Sequence, residues 1–248
     1  MTQAISSEVA RMNRKKTIAR TSGFIQWRTG FVGSIQVAQL EDRPQAYVDE
    51  IAPNSNITPH FHQVDQFSVF LAGHGTLGRN PMPPVTLHYV DHHTAYGPID
   101  SGPYGLSIFT IRVKSDPGGV HLHKPGYKDF LKPTKKRYLL SENIALSIDA
   151  VLQNRGEVSM EKVLGGEADS DGMGAFMLRM GAGMKTTGPD PVATGGQYYL
   201  VLGGSLAYGG ICYPVCSVVY NEPGDRPLEV CAGPNGLEAL VLNFSRDQ

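Results

Sequence analysis

His60 and His62 stand one residue apart in the stretch Pro59-His60-Phe61-His62-Gln63-Val64-Asp65-Gln66, and an apolar run from Phe67 carries on to Gly73. Side chains of an extended chain repeat every second residue, so both imidazoles face the same way. Two imidazoles on one face, with an amide or carboxylate close by, are the usual materials of a mononuclear metal site. Without a metal, two inward histidines would each need hydrogen-bond partners in an apolar interior. Asp65 is the nearest carboxylate, but it is one residue out of register and is expected to face away. Gln66 is in register. An amide oxygen can ligate, yet it cancels no charge, so a divalent ion held by imidazoles and an amide is bound less tightly and attracts anions more strongly. Gln66 is either such a ligand or a residue that serves the fold.

The elements that must position these residues read as strands. With 29 Gly, 17 Pro and only 18% charged residues, the composition leans toward an all-β chain. Strands are expected at 24–27, 34–39, 45–51, 66–72, 85–90 and 106–113. Gly30, Gly33 and Glu41-Asp42-Arg43-Pro44 separate the early ones, and Gly73-His74-Gly75 ends the one after the histidines. From 115 to 137, prolines, glycines and lysines punctuate the chain, which reads as a surface connection between domains.

The second half then repeats the first. Gln197-Tyr198-Tyr199-Leu200-Val201-Leu202-Gly203-Gly204 matches Gln66-Phe67-Ser68-Val69-Phe70-Leu71-Ala72-Gly73, and Gly233-Pro234-Asn235-Gly236-Leu237 matches Gly102-Pro103-Tyr104-Gly105-Leu106. Both matches lie 131 residues apart (66 to 197, 102 to 233). An ungapped repeat over this distance makes two copies of one β domain the expected architecture. The boundaries are a first domain at 22–114, a linker at 115–140 and a second domain at 141–248, preceded by an N-terminal arm or short helix. At the same offset His60 becomes Pro191, His62 becomes Ala193, His92 becomes Pro223 and His93 becomes Gly224, while Gln66 stays Gln197. All eight histidines lie between 60 and 123, so the second copy is structural or a metal-free pocket.

His-x-His, three residues, Gln66, six residues and Gly73 resembles the first motif of the cupin superfamily, where a Glu holds the place of Gln66. The resemblance implies two tandem jelly-roll (double-stranded β-helix) barrels, a bicupin whose C-terminal barrel is degenerate and free of histidine. It implies one divalent metal ion in the first barrel, Fe first, with Mn, Ni or Zn as alternatives. The last ligand should come from a second motif, which is degenerate here because its Pro-x-Gly lead-in is absent. His93 is the expected ligand and His92 the alternative, since neighbours in an extended chain face opposite ways; His88, inside the preceding strand, is a further alternative. Tyr96 is placed to act as hydrogen-bond donor or proton relay, or else to pack at its turn. The implied function is a metal-dependent enzyme acting on a small molecule, an oxidoreductase of the Fe(II) dioxygenase type. The alternatives are a Lewis-acid isomerase, decarboxylase or lyase, or a non-catalytic module that binds or senses a small ligand. Pairing through outer sheets, with the arm on a neighbouring subunit, would give a homodimer.

Other classes are disfavoured. A net charge of −1 supplies no field for nucleic acid, and the basic segment 11–16 reads as a solvated arm. No apolar run reaches spanning length and no signal peptide opens the chain, so no membrane partner is expected. Cys212, Cys216 and Cys231 are too few and too late for a disulfide framework, which points to the cytoplasm. Gly73-His74-Gly75-Thr76-Leu77-Gly78 matches a dinucleotide fingerprint, but prolines follow where a helix must, so no nucleotide cofactor is expected. His121-Leu122-His123 lies in the linker and reads as a solvated pair.

Overall fold

The computed structural model describes residues 1–18, 25–165 and 170–247. The expected start of the first domain at 22 and of a strand at 24 lie outside them. The chain is all-β, as its composition predicts, and forms two compact units. One comprises Asn13–Ile144; the other joins Met1–Met12 to Ala145–Gln248.

In the Asn13–Ile144 unit, called the first unit below, an antiparallel sheet runs in the order Tyr138–Leu140, Thr86–Val90, Gln66–Leu77, Ile99–Arg112, Gln45–Ile51, Ile25–Val32, Lys15–Ile18. Gln66 to Phe70 and all of Thr86–Val90 are buried, as central strands covered on both faces must be. The strand after the histidines does not end at Gly73. It bends there and runs on to Leu77, because Gly73 takes φ +78° and passes so close to the neighbouring strand that a Cβ would lie 2.2 Å from the Gly105 carbonyl oxygen. Glycine here makes a bulge rather than a stop. The strand expected at 34–39 is absent. The Ser34 hydroxyl pairs locally with the Gln36 backbone, and its carbonyl accepts from Gln45 Nε2, so the segment is held as a loop.

Residues 115–140, read as an inter-domain connection, belong to the first unit in this division. Val120–His121 pairs with His60–Phe61, and Tyr138–Leu140 pairs with Thr86–Val90. These contacts bring the segment against the histidine strand.

In the second unit the order is Gln3–Ile5, Val218–Asn221, Gln197–Tyr208, Glu229–Asn243, Gly174–Met180, Ser159–Leu164. The N-terminal arm is part of it: Gln3–Ile5 pairs with Val218–Asn221, and the Ser6 hydroxyl caps the helix Ser7–Arg11 by accepting from the Glu8 amide. The arm thus finds its strand partner within its own chain. Among the described residues, no helix is long and apolar enough to cross a membrane.

Candidate functional site

His60 and His62 lie on one wall of a pocket inside the first unit, and both rings are neutral with their tautomers fixed. His60 Nδ1 is 2.9 Å from the Thr58 carbonyl, which can only accept, so Nδ1 carries the proton. His62 Nδ1 is 2.8 Å from Oδ1 of Asp116 and donates to that carboxylate. In each ring Nε2 is left as the acceptor. Burial, reinforced by the neighbouring His62, pushes the His60 imidazole down to about 3, and burial with the Arg112 charge lowers His62. The ring centroids are 5.3 Å apart and the rings are perpendicular.

Arg112 forms the floor. It is 1% exposed, and its guanidinium holds two glutamines: Nε and Nη2 donate to Gln66 Oε1 at 2.9 and 2.5 Å, and Nη1 donates to Gln45 Oε1 at 2.6 Å. Nη2 also lies 3.2 Å from both His62 ring nitrogens. A point equidistant from both at that range falls on ring carbons if it lies in the ring plane. Arg112 therefore sits over the ring face and leaves the in-plane Nε2 lone pair to the pocket.

With Gln66 Oε1 occupied by Arg112, its Nε2 donates to the Ser68 hydroxyl at 2.8 Å and to the Tyr96 phenol at 3.0 Å. The structure thus turns Gln66 toward holding Tyr96, and its oxygen toward an arginine. Tyr96 Oη lies 3.1 Å from His60 Nε2 and donates to it, since His60 Nδ1 already bears the ring proton. Two backbone hydrogen bonds between Tyr96 and His60 fix the phenol opposite the imidazole. Burial raises the phenol above its usual range, so it stays protonated.

Asp116 ties the segment beside the pocket to the histidine strand. Its carboxylate accepts from His62 Nδ1, the Gly118 amide at 2.7 Å and the Gln63 amide at 3.0 Å. Burial alone would raise it, but His62 and Arg112 hold it well below the usual carboxylate range. Gly119 follows, packed so closely on His60 that a Cβ would lie 2.6 Å from ring atom Cδ2. His121 then lines the pocket, its ring 5.1 Å from that of His60 and its Nδ1 2.7 Å from the Thr58 hydroxyl. The pair His121 and His123 is accordingly not simply solvated, because β pairing with His60–Phe61 brings His121 inside.

The pocket brings together His60, His62, Gln66 and Tyr96, but not His93 or His92. His93 takes φ +57°, donates its backbone N–H to the His62 carbonyl at 2.7 Å, and packs its ring against Phe61. His92 Nδ1 pairs with Asp65 at 2.7 Å on the far side, where Asp65 faces as its register requires. The left-handed turn at His93 breaks the two-residue alternation on which that placement depended. His88 lies directly across from Ser68, between the rings of Tyr96 and Tyr138, with both ring nitrogens buried and unpartnered.

Among the described residues, no three His, Cys, Asp or Glu side chains are grouped to hold a metal by themselves. The donor set fits a metal in part. His62 leaves its Nε2 to the pocket, whereas His60 Nε2 accepts from Tyr96 and would have to exchange that phenol for an ion; each ring is steadied at Nδ1 by an acceptor in the manner of metal-ligating histidines, and further donors must come from water or a ligand. Arg112 and Asp116, which line the pocket, and Gln45, which Arg112 holds, are residues of the candidate site that sequence reasoning missed. An arginine inside the apolar run 106–113 was the available signal.

No family model matches the chain, and no curated relative matches it. Solved structures share its fold. A candidate dioxygenase from Nostoc punctiforme superposes with a TM-score of 0.66 at 11% identity, covering 100% of this chain and 84% of that one. A bacterial pirin from Escherichia coli in complex with nickel(II) gives 0.59 at 11% identity, covering 99% of both chains. An oxalate decarboxylase mutant from Bacillus subtilis gives 0.54 at 12% identity, covering 99% and 78%. At such identities the likeness shows the fold, which is that of the cupins.

Proposed function

We propose that this cupin-fold chain is a bicupin whose first unit is a metal-dependent enzyme acting on a small molecule, and whose second unit is structural. His60 and His62 hold one divalent ion through Nε2, with Fe(II) the first choice and Mn, Ni or Zn as alternatives. The observation that carries the reading is the pair of fixed tautomers: each Nδ1–H is spent on an acceptor, so each Nε2 keeps a lone pair on the pocket side, that of His60 accepting from Tyr96 until an ion takes its place. A bound ion of this kind would polarise a substrate oxygen and, if iron, open oxidation by O₂.

The chain's own residues supply the rest. Asp116 keeps His62 oriented, burial and the Arg112 charge keep it neutral, and Gln66, itself held by Arg112, aims the Tyr96 hydroxyl at the His60 side of the pocket. With its phenol kept protonated by burial, Tyr96 donates a hydrogen bond to an oxygen bound there. That donor equally serves non-redox Lewis-acid chemistry, which is the second reading.

Two measurements separate the possibilities. Metal analysis of protein purified without added metal should find substantial occupancy that His60→Ala abolishes. Less than about a tenth of an equivalent would transfer the site to the non-catalytic binding class. Anaerobic loading with Fe(II), followed by oxygen uptake with a substrate panel, tests the dioxygenase chemistry. Turnover that persists without O₂ and with zinc selects the Lewis-acid chemistry instead.

A further inference from the structure

Three hydroxyls stand side by side on the inner face of the first unit's sheet. Thr110 pairs directly with Tyr47 on one side and with Ser68 on the other, so the three side chains share a face, and all three line the pocket. Each of these residues is only 5 or 6% exposed. Among the described residues, the hydroxyls of Tyr47 and Thr110 have no hydrogen-bond partner, and that of Ser68 accepts from Gln66 while its own proton is uncommitted. A buried hydroxyl is costly unless something bonds to it. Solvent in the pocket, or a molecule that displaces it, must supply the missing bonds.

The second unit shows that the framework needs none of these groups. In its matching row Val241 pairs with Phe176 and with Tyr199. Thr110 differs from Val241, and Tyr47 from Phe176, by a hydroxyl alone. Ser68 against Tyr199 replaces a ring with open space. Val241 and Tyr199 belong to one apolar cluster, and Phe176 packs against it. The first unit has thus hollowed this row and lined the hollow with hydroxyls.

The charged groups of the lining are already engaged. Arg28 and Asp49 hold one another through two parallel hydrogen bonds of 2.6 Å each, and Arg112 donates to Gln66 and Gln45. Asp116 accepts from His62 and two backbone amides. An ionic ligand would have to break one of these pairings. A ligand hydroxyl both donates and accepts, as the hydroxyls of the row do, whereas a carbonyl oxygen satisfies only donors. Beside the row, Ile57 and Ile99 pair across strands and, with Ile35, Ile51 and Ile108, give the pocket an aliphatic side.

We infer that the pocket takes an uncharged aliphatic or alicyclic diol, its hydroxyls on Tyr47, Thr110 and Ser68 and its hydrocarbon side against the isoleucines. This rests on reading the first unit as a small-molecule site and not on a bound ion, so the test uses the full chain stripped of metal with EDTA. Saturation-transfer NMR titrations with trans-cyclohexane-1,2-diol, cyclohexanecarboxylate and erythritol separate the contributions of hydroxyls, charge and hydrocarbon.

The diol should bind about tenfold more tightly than either of the other probes. Thr110→Val and Tyr47→Phe, which import the second unit's residues, should each weaken the diol about fivefold, and Thr110→Ser should keep it. Carboxylate or erythritol binding as tight as that of the diol overturns the ligand class, as does a diol affinity unchanged in the variant carrying both Tyr47→Phe and Thr110→Val. Absence of diol binding by the folded protein overturns it as well. The metal reading is decided separately, by the metal occupancy of the parent chain against His60→Ala.

Discussion

The two units place unlike side chains on one strand framework. Gln66–Leu77 and Gln197–Tyr208 are both twelve residues long, and each residue of one lies 131 before its counterpart. Each bends at a glycine facing another glycine: a Cβ on Gly73 would meet the Gly105 carbonyl at 2.2 Å, and one on Gly204 the Gly236 carbonyl at 2.1 Å. The pairings repeat as well, Ser68 with His88 and Tyr199 with Val219. What differs is the substituent on the inner face. Ser68 becomes Tyr199, His88 becomes Val219 and Thr110 becomes Val241, all within one apolar cluster of the second unit. Arg112, which reaches Gln66 and Gln45, becomes Asn243, whose Oδ1 accepts from Gln197 Nε2 at 2.9 Å. Pleat, bulges and register belong to the fold; a hollow polar interior or a filled apolar one depends on a handful of inward positions.

Several substitutions would break or sharpen that contrast. The largest effect is expected at the histidines: His60→Ala combined with His62→Ala should lower metal affinity about a hundredfold or more while leaving the folded circular dichroism spectrum intact. Retained affinity would remove these residues from the site. In the second unit, Tyr199→Ala empties the place that Ser68 leaves open in the first and should cost about 3–5 kcal/mol in urea unfolding. A cost below about 1 kcal/mol would mean that the second interior is not the packed core described.

Arg112→Asn imports the second unit's residue into the first. It strands the two glutamine oxygens and should cost about 3 kcal/mol, with ligand binding lost. Gly119→Ala acts at one contact only. Its methyl must displace the His60 ring, so metal affinity should fall about tenfold with little change in thermal midpoint. If affinity is unchanged, the close approach of Gly119 has no part in positioning His60.

His88→Val is the smallest and carries a pH signature. Burial holds His60 and His88 down to about 3 in the folded protein, against 6.5 in an unfolded chain. Above pH 6.5 both are neutral in either state and stability is fully present. As pH falls from 6.5 toward 3, the unfolded chain takes up protons that the folded one refuses, and stability is lost. His88→Val should remove part of that slope and, by deleting two unpartnered ring nitrogens, raise stability at neutral pH by about 1 kcal/mol. Urea midpoints at pH 5 and pH 8 measure both, and an unchanged slope contradicts the assignment.

Much of this was legible because it is local or periodic. The alternation of a strand put His60 and His62 on one face, and the unbroken 131-residue offset announced a repeated framework. Both follow from two-residue pleating, which needs no knowledge of distant chain. Reading failed where a distant segment decided the matter. Gly73 looked like a terminator because nothing in its neighbourhood reveals that Gly105 passes 32 residues later in the chain. His93 looked available until its left-handed backbone and the Phe61 contact took it elsewhere.

By itself, then, the sequence determined the all-β class, the repeat, and the two histidines that lack counterparts in the second copy. Only the tertiary structure decided their surroundings: Asp116 on His62, Arg112 on Gln66 and Gly119 against His60 come from 46 to 59 residues away. A hydrogen-bond partner is chosen by proximity in space, and the strand pairings that create that proximity leave no periodic mark on the chain.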